Sequence, residues 1–321
     1  MDRRTFLKGT AAGSVTAALG AATGCAAEGS TATAPDKQNT NLGYQDGTSP
    51  WPISLDAATV GWPDLETFVD VAAKTGYDGI EPWMRQLRAY EKNGGDLNEI
   101  GQKLRDRDLY VPSVIGLWDA IPTGRKQFDA AMKNTRDRMR MVSELGAKHV
   151  QTIPAQDGEM DLDWAGEAYR RILEVGLNEY DVHPALVFVK FFTIRTLSEA
   201  VHAALAADHP EAKIIPDTYH MHLSGSGLSS LRHLNGSFIA IFQYNDAPVE
   251  PGREELGDED RVMPGDGILP LERVLTDLYG IGYEGSISVE LYNPKYQEMD
   301  TEKAARIGLD RTRSTIQRAM N

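Results

Sequence analysis

Three side chains that close consecutive apolar runs have the types needed to hold a hard cation or to move a proton. They are Asp217 in IIPDTYHM, Gln243 in FIAIFQYN and Glu290 in GSISVELYN. Two carboxylates and an amide oxygen form an oxygen-rich half-cage suited to Mn²⁺, Mg²⁺ or Co²⁺, with Zn²⁺ admitted and soft, thiophilic ions disfavoured. His220, three residues beyond Asp217, either ligates such an ion or hydrogen-bonds a substrate hydroxyl. A lone aspartate at a strand end caps the next helix more often than it binds metal. Three such groups on neighbouring strands favour a functional site. His222 reads as a loop residue, and His149, His183, His202, His209 and His233 fall at strand starts, in helices or in loops.

Positioning these groups requires an ordered set of strands. Short apolar runs alternate with amphipathic helical stretches along the whole chain. Strands are expected near 52–59, up to Glu81, and over 109–118, 149–155, 184–192, 212–221, 238–248 and 285–293. Helices are expected from Asp64 to Gly76, and over 127–146, 161–177 and 196–207. Eight strand–helix units imply a parallel sheet, and eight is the number that closes into a (β/α)8 TIM barrel. An open doubly wound sheet would need a Gly-rich phosphate loop after the first strand, where the chain instead reads GWPDLET. In a barrel every strand's C-terminal end faces one mouth. The polar and aromatic residues expected there are Glu81, Trp118, Gln151, Lys190, Asp217, His220, Gln243, Asn245, Asp246 and Glu290. Of these, Glu81, Trp118, His220 and Asn245 are read as substrate contacts.

The chain has 321 residues, a net charge of −14 and a single cysteine, Cys25. The acidic balance argues against a phosphate backbone or an anionic lipid surface as partner, since both need a Lys/Arg face. One cysteine excludes an intrachain disulfide and a Cys-based zinc site. Residues 1–25 open with DRRTFLKG and continue as an uncharged, small-residue stretch too short to span a membrane. The twin arginine, Arg3 and Arg4, with Phe6-Leu7-Lys8 resembles a Tat-type signal. The ending Ala22-Thr23-Gly24-Cys25 resembles a lipobox, which would make Cys25 a lipidated anchor in the periplasm or cell envelope. Residues 26–49 read as a flexible linker and 50–321 as the barrel. Oligomerisation is left open.

GYDGIEPW, IIPDTYHMHLSGSG, IFQYNDAP, RVMPGDGILPL and GYEGSISVELYN, in this order, resemble the sugar isomerase/epimerase group of xylose-isomerase-like barrels over nearly all of residues 50–321. The resemblance implies a divalent metal held at the ends of strands five to eight. Asp217 and Glu290 match its ligand positions, and Glu290 also matches a residue that moves a proton. His220 and Arg261 match positions that hold substrate hydroxyls. Gln243 stands where many members have histidine, though relatives that dehydrate dehydroshikimate look to have glutamine there. The fifth strand departs from the pattern, because PALVFVKFF lacks the group's metal-binding glutamate. Either Val187 or Lys190 takes that position. An inward Lys190 would stand between Asp217 and Glu290 as counter-charge or base, and an outward one would lie along the surface. The implied activity is metal-assisted proton abstraction next to a carbonyl, by a carbohydrate isomerase, epimerase or keto-sugar lyase. The competing expectation is a non-catalytic sugar-binding lipoprotein that has lost part of the metal site.

Overall fold

The structure is a computed structural model that describes residues 49–321. The expected signal and most of the linker, with Arg3, Arg4 and Cys25, lie outside the described residues. Eight strands appear in order: β1 Ile53–Asp56, β2 Gly79–Glu81, β3 Ser113–Ile121, β4 His149–Pro154, β5 His183–Val187, β6 Ile214–Ile215, β7 Phe242–Tyr244 and β8 Ile287–Val289. They pair in parallel as β2-β1-β8-β7 and β3-β4-β5-β6. Parallel bridges at Gly79–Tyr110 and Trp83–Ile115 join β2 to the β3 side, and bridges at Ile214–Ile239 and Asp217–Gln243 join β6 to β7. The eight strands therefore close into the expected barrel.

Ten helices surround or extend it among the described residues: α1 Leu65–Thr75, α2 Met84–Lys92, α3 Leu97–Arg105, α4 Phe128–Leu145, α5 Leu162–Glu179, α6 Leu197–Ala206, α7 Thr218–Leu223, α8 Leu271–Gly280, α9 Pro294–Gln297 and α10 Thr301–Met320. Their ends follow local chemistry. Asp64 caps α1 by accepting from the Thr67 amide at 3.0 Å, and Gly76 ends the helix at φ +87°. Thr196 and Glu199 form a capping box at α6.

Several strands are shorter than their apolar runs, each for a visible reason. β1 stops at Asp56 because that carboxylate accepts from the Ala58 amide at 2.7 Å and turns the chain into a helical turn over Ala57–Val60. β6 is cut short by Pro216, which has no amide hydrogen to pair, although its carbonyl still accepts from Gln243 N at 2.9 Å. β3 runs past Trp118 to Ile121 with irregular pairing on either side of Leu117.

Alternation along the strands sorts side chains between the helix-facing layer and the barrel interior. Leu186 and Phe188 belong to the large core under the helices. Ala185 and Val187 face inward with Ile115, Ile153, Ile215, Ala240 and Ile241, and Trp83, Trp118, Val189 and Phe192 pack over this cluster. Ser54, Asp56, Glu81, Gln243, Ser288 and Glu290 are buried polar side chains on β1, β2, β7 and β8 and at the ends of those strands. The interior thus has an apolar half around β3–β6 and a polar half around β7, β8, β1 and β2.

At the opposite end of the barrel His149 and His183 begin the paired strands β4 and β5, with rings 5.1 Å apart. His149 Nδ1 donates to the Pro112 carbonyl at 3.0 Å, and burial, with the nearby His183 and Lys148, pushes its pKa down to about 3. The folded state therefore keeps His149 neutral where the unfolded chain protonates it, below about pH 6.5. Its contribution is full above pH 6.5 and is lost as pH falls towards 3. By pH 5 the loss is about 2 kcal/mol. His149→Gln should flatten that part of the stability–pH curve in urea unfolding at pH 7 and pH 5. A curve with unchanged slope would show that His149 is not its source.

Candidate active site

Asp217 follows β6 and is fully buried. One of its oxygens, Oδ1, accepts from the Tyr219 and His220 amides at 2.7 and 2.9 Å, so it does cap α7. The other, Oδ2, accepts from Asn245 Nδ2 at 3.1 Å and from Arg261 Nη1 at 2.7 Å. Burial works against its charge, but Arg261, His220 and the amide donors prevail and hold its pKa below the usual aspartate value.

Glu290, just past β8, presents Oε2 to the same Arg261 nitrogen at 2.9 Å, and its Oε1 accepts from the Tyr292 hydroxyl at 2.9 Å. Burial pushes its pKa well above the ordinary range, and the Asp56, Asp217 and Glu81 carboxylates add to that, against the pull of Arg261.

Arg261 thus sits between the two carboxylates where the sequence offered Lys190. It is fully buried. Nη2 donates to His220 Nε2 at 3.0 Å and to Asp258 Oδ1 at 2.9 Å. The guanidinium carbon lies 5.1 Å from the Tyr219 ring centroid and 4.8 Å from that of Tyr292. Arg261 can only donate, so His220 Nε2 accepts and the neutral imidazole carries its hydrogen on Nδ1. Burial keeps the His220 pKa low.

The loop that delivers Arg261 is shaped by Asp246. That residue exchanges backbone hydrogen bonds with Val262, and its carboxylate accepts from the amides of Gly265, Gly267 and Leu269. At Gly267 a Cβ would stand 2.1 Å from the Ala247 carbonyl oxygen, so only glycine fits. The Pro-Gly-Asp-Gly segment is therefore the built part of this loop, and Asp246 is its anchor.

The remaining residues expected at the mouth divide in two. Glu81 is buried in the interior, accepting from Gln151 Nε2 at 2.8 Å and Ser288 Oγ at 2.7 Å, and burial raises its pKa to about 7. Asn245 braces β6 against β8 through Asp217 and the Glu290 carbonyl. Trp118 stands on the rim, 5.8 Å from Trp83 and 6.3 Å from Phe192. Lys190 lies in the turn after β5, half-buried, beside Phe191 and Phe192, and no ion pair of this lysine appears among the described residues.

Sequence reasoning missed Asp56, Trp62, Trp83, Asp258 and Tyr292. Asp56 is buried, hydrogen-bonded by Trp83 Nε1 at 3.2 Å, and burial with the nearby Glu81 pushes its pKa well up. It ends β1 as Glu81 ends β2, and the two are register partners, which is the signal that could have found it. Trp62, Trp83, Trp118, Phe192 and Tyr292 form a connected aromatic wall, with successive centroids 5.7 to 6.3 Å apart.

A divalent ion does not fit this donor set. At the fifth-strand position Val187 supplies no donor, and its inward side chain belongs to the apolar cluster. Both carboxylates already hold a guanidinium nitrogen. Among the described residues no group of three or more His, Cys, Asp or Glu side chains is placed to hold an ion.

A closed (β/α)8 barrel with buried acids and an aromatic wall at its C-terminal mouth is an architecture of small-molecule enzymes. The sequence profile of the xylose isomerase-like TIM barrel family matches residues 69–315, and the chain belongs to that family. An inosose isomerase from Bacillus velezensis is 26% identical over 271 residues, covering 81% of this chain and 95% of its own. A 3-dehydroshikimate dehydratase from Pseudomonas putida is 24% identical over 252 residues, which is 75% of this chain and 38% of that one. The crystal structure of an IOLI protein with a bound zinc atom superposes with a TM-score of 0.77 at 24% identity, covering 84% of this chain and 99% of that one. The relatives include carbohydrate isomerases, epimerases and dehydratases.

Proposed function

We propose that this chain is a carbohydrate isomerase, epimerase or keto-sugar lyase that removes a proton from the carbon next to a carbonyl. The observation that carries this reading is Glu290. It is a buried carboxyl whose affinity for a proton is raised, held from both sides by Arg261 and Tyr292. Such a group is a stronger base than an exposed glutamate once it is ionised. Glu290 takes the α-proton and becomes the acid, while the C–H electron pair moves onto the carbonyl oxygen to form an enolate. The proton then returns to the opposite face or to the neighbouring carbon, or a β-leaving group departs with the electron pair. His220 Nδ1 is buried and without a hydrogen-bond partner among the described residues, whereas the Gln243 amide is turned to the Glu81 carboxylate. Buried donors of this kind are costly unless a ligand oxygen meets them. The aromatic wall suits the apolar faces of a sugar or cyclic polyol ring. Lys190, outside the carboxylate pair, is assigned to substrate oxygens at the rim and not to the proton step.

The second reading, a sugar-binding protein without turnover, is favoured by Val187 standing where a glutamate was expected. Incubating the purified protein with keto-sugars and inososes in D2O separates the two. Deuterium entering the carbon next to the carbonyl supports the enzyme, and binding without exchange for every compound supports the second reading.

The same reading takes the protein to be exported by its Tat-type signal and held at the cell envelope through Cys25. Replacing Arg3 and Arg4 with lysine should leave the precursor inside the cell, and Cys25→Ser should shift the protein from the membrane fraction to the soluble one. A mature N-terminus downstream of Cys25, found by mass spectrometry, would overturn the anchor.

A further inference from the structure

We propose that the Arg261 guanidinium permanently takes the place of the divalent ion that the family resemblance implies, so that this barrel works without a metal and Arg261 positions Asp217 and Glu290 in the ion's stead. The geometry points to substitution and not to a neighbour that merely shares the site. Nη1 lies 2.7 Å from Asp217 Oδ2 and 2.9 Å from Glu290 Oε2, the two carboxylates that match ligand positions. An ion bound to those oxygens would need a distance of roughly 2.0–2.6 Å and would overlap that nitrogen. The guanidinium is also fully engaged. Nη1 serves the two carboxylates, Nη2 serves His220 and Asp258, and Nε lies 3.3 Å from Asp258 Oδ1. The Nε2 nitrogen of His220 is thereby spent as an acceptor.

Nothing in this arrangement resembles an arm waiting to swing away. Arg261 has no exposed surface, and its cation lies between two tyrosine rings. Its carbonyl accepts from Asn293 Nδ2 at 3.0 Å, and the next residue, Val262, is bridged to Asp246. The fifth strand agrees independently. The metal centre that the resemblance implies would put a donor at the inward position of β5, and this chain puts Val187 there, inside an apolar cluster. A planar fork with five donors can satisfy two carboxylates, an imidazole and a third carboxylate together. A substrate oxygen is then left to the unpartnered donor of His220. That last consequence rests on the proposed function, whereas the exchange of ion for guanidinium does not.

The test measures Mn, Co and Zn in the purified protein. It also measures the thermal midpoint with EDTA, with Mn²⁺ and with Zn²⁺, for the wild type, Arg261→Lys and Arg261→Ser. The wild type should carry far less than one equivalent of any ion, and its midpoint should be the same in all three solutions. Arg261→Lys, which keeps the charge, should remain indifferent to ions. Arg261→Ser, which uncovers Asp217 and Glu290, should acquire a midpoint that rises with Mn²⁺ or Zn²⁺. One equivalent of ion in the wild type, or a midpoint that EDTA lowers, overturns the proposal. An Arg261→Ser protein that folds yet ignores both ions also overturns it. If Arg261→Ser does not fold, the wild-type measurements decide alone. Deuterium exchange run in EDTA keeps the two ideas apart. Exchange abolished by the chelator refutes the substitution and leaves the enzyme standing, while no exchange in any solution from an ion-free protein refutes the enzyme and leaves the substitution standing.

Discussion

Glu290→Gln should reduce deuterium incorporation next to the substrate carbonyl by about 10²–10⁴-fold, the size of contribution a positioned general base makes. The amide keeps the volume and one acceptor, so Tyr292 retains its partner and no cavity opens, while Arg261 loses the Glu290 acceptor and keeps its bond to Asp217. Sugar binding should therefore change much less than turnover. In kinetic terms kcat falls and KM moves little, the signature of an interaction made in the transition state. Equilibrium binding of a keto-sugar to the Glu290→Gln protein, compared with its exchange rate by NMR, checks both halves. Exchange that survives the substitution would move the base to another carboxyl, with Asp56 and Glu81 the nearest alternatives in charge coupling.

How much of this was legible beforehand follows from what each signal measures. Apolar runs at regular spacing are a backbone-scale property, so eight strands and the mouth they share could be read from the sequence. Asp217, Gln243 and Glu290 could be read too, because each ends such a run and parallel strands bring ends together. Strand lengths were overestimated wherever a side chain or a proline stops pairing, as at Asp56 and Pro216. The use of a residue was harder to read than its place. Arg261 lies in a loop whose path depends on four amides gathered by Asp246, and no local pattern states that its side chain will travel inward between two carboxylates. Lys190 had the same charge and a closer tie to a strand, but the chain turns after Val187 and carries it to the rim. Asp246 and Asn245 looked like mouth residues because they follow β7. Both also act as braces, which only the hydrogen-bond partners reveal.

Arg261→Gln should cost about 3–5 kcal/mol of unfolding free energy, because breaking a buried ion pair from one side strands the other charge. Here the buried Asp217 carboxylate would be stranded and Glu290 would lose its donor, with Asp258 and the His220 acceptor beside them. Such a pair need not stabilise the fold relative to an apolar core. The loss comes from leaving carboxylates that can neither be solvated nor compensated. Asp217→Asn should also destabilise, by roughly 1–3 kcal/mol. The charge it removes is paired with Arg261, and one cap acceptor of α7 is weakened with it. The exposed pair of Arg253 and Glu254 provides the control, and Arg253→Gln should leave stability essentially unchanged. Urea unfolding at pH 7 measures all three. The decisive comparison is the double variant, Arg261→Gln with Asp217→Asn. If stranded charge is the cause, removing a carboxylate along with the guanidinium should cost clearly less than the sum of the single changes. Strict additivity would mean that Arg261 stabilises through its packing between Tyr219 and Tyr292, and that the carboxylates find their compensation elsewhere.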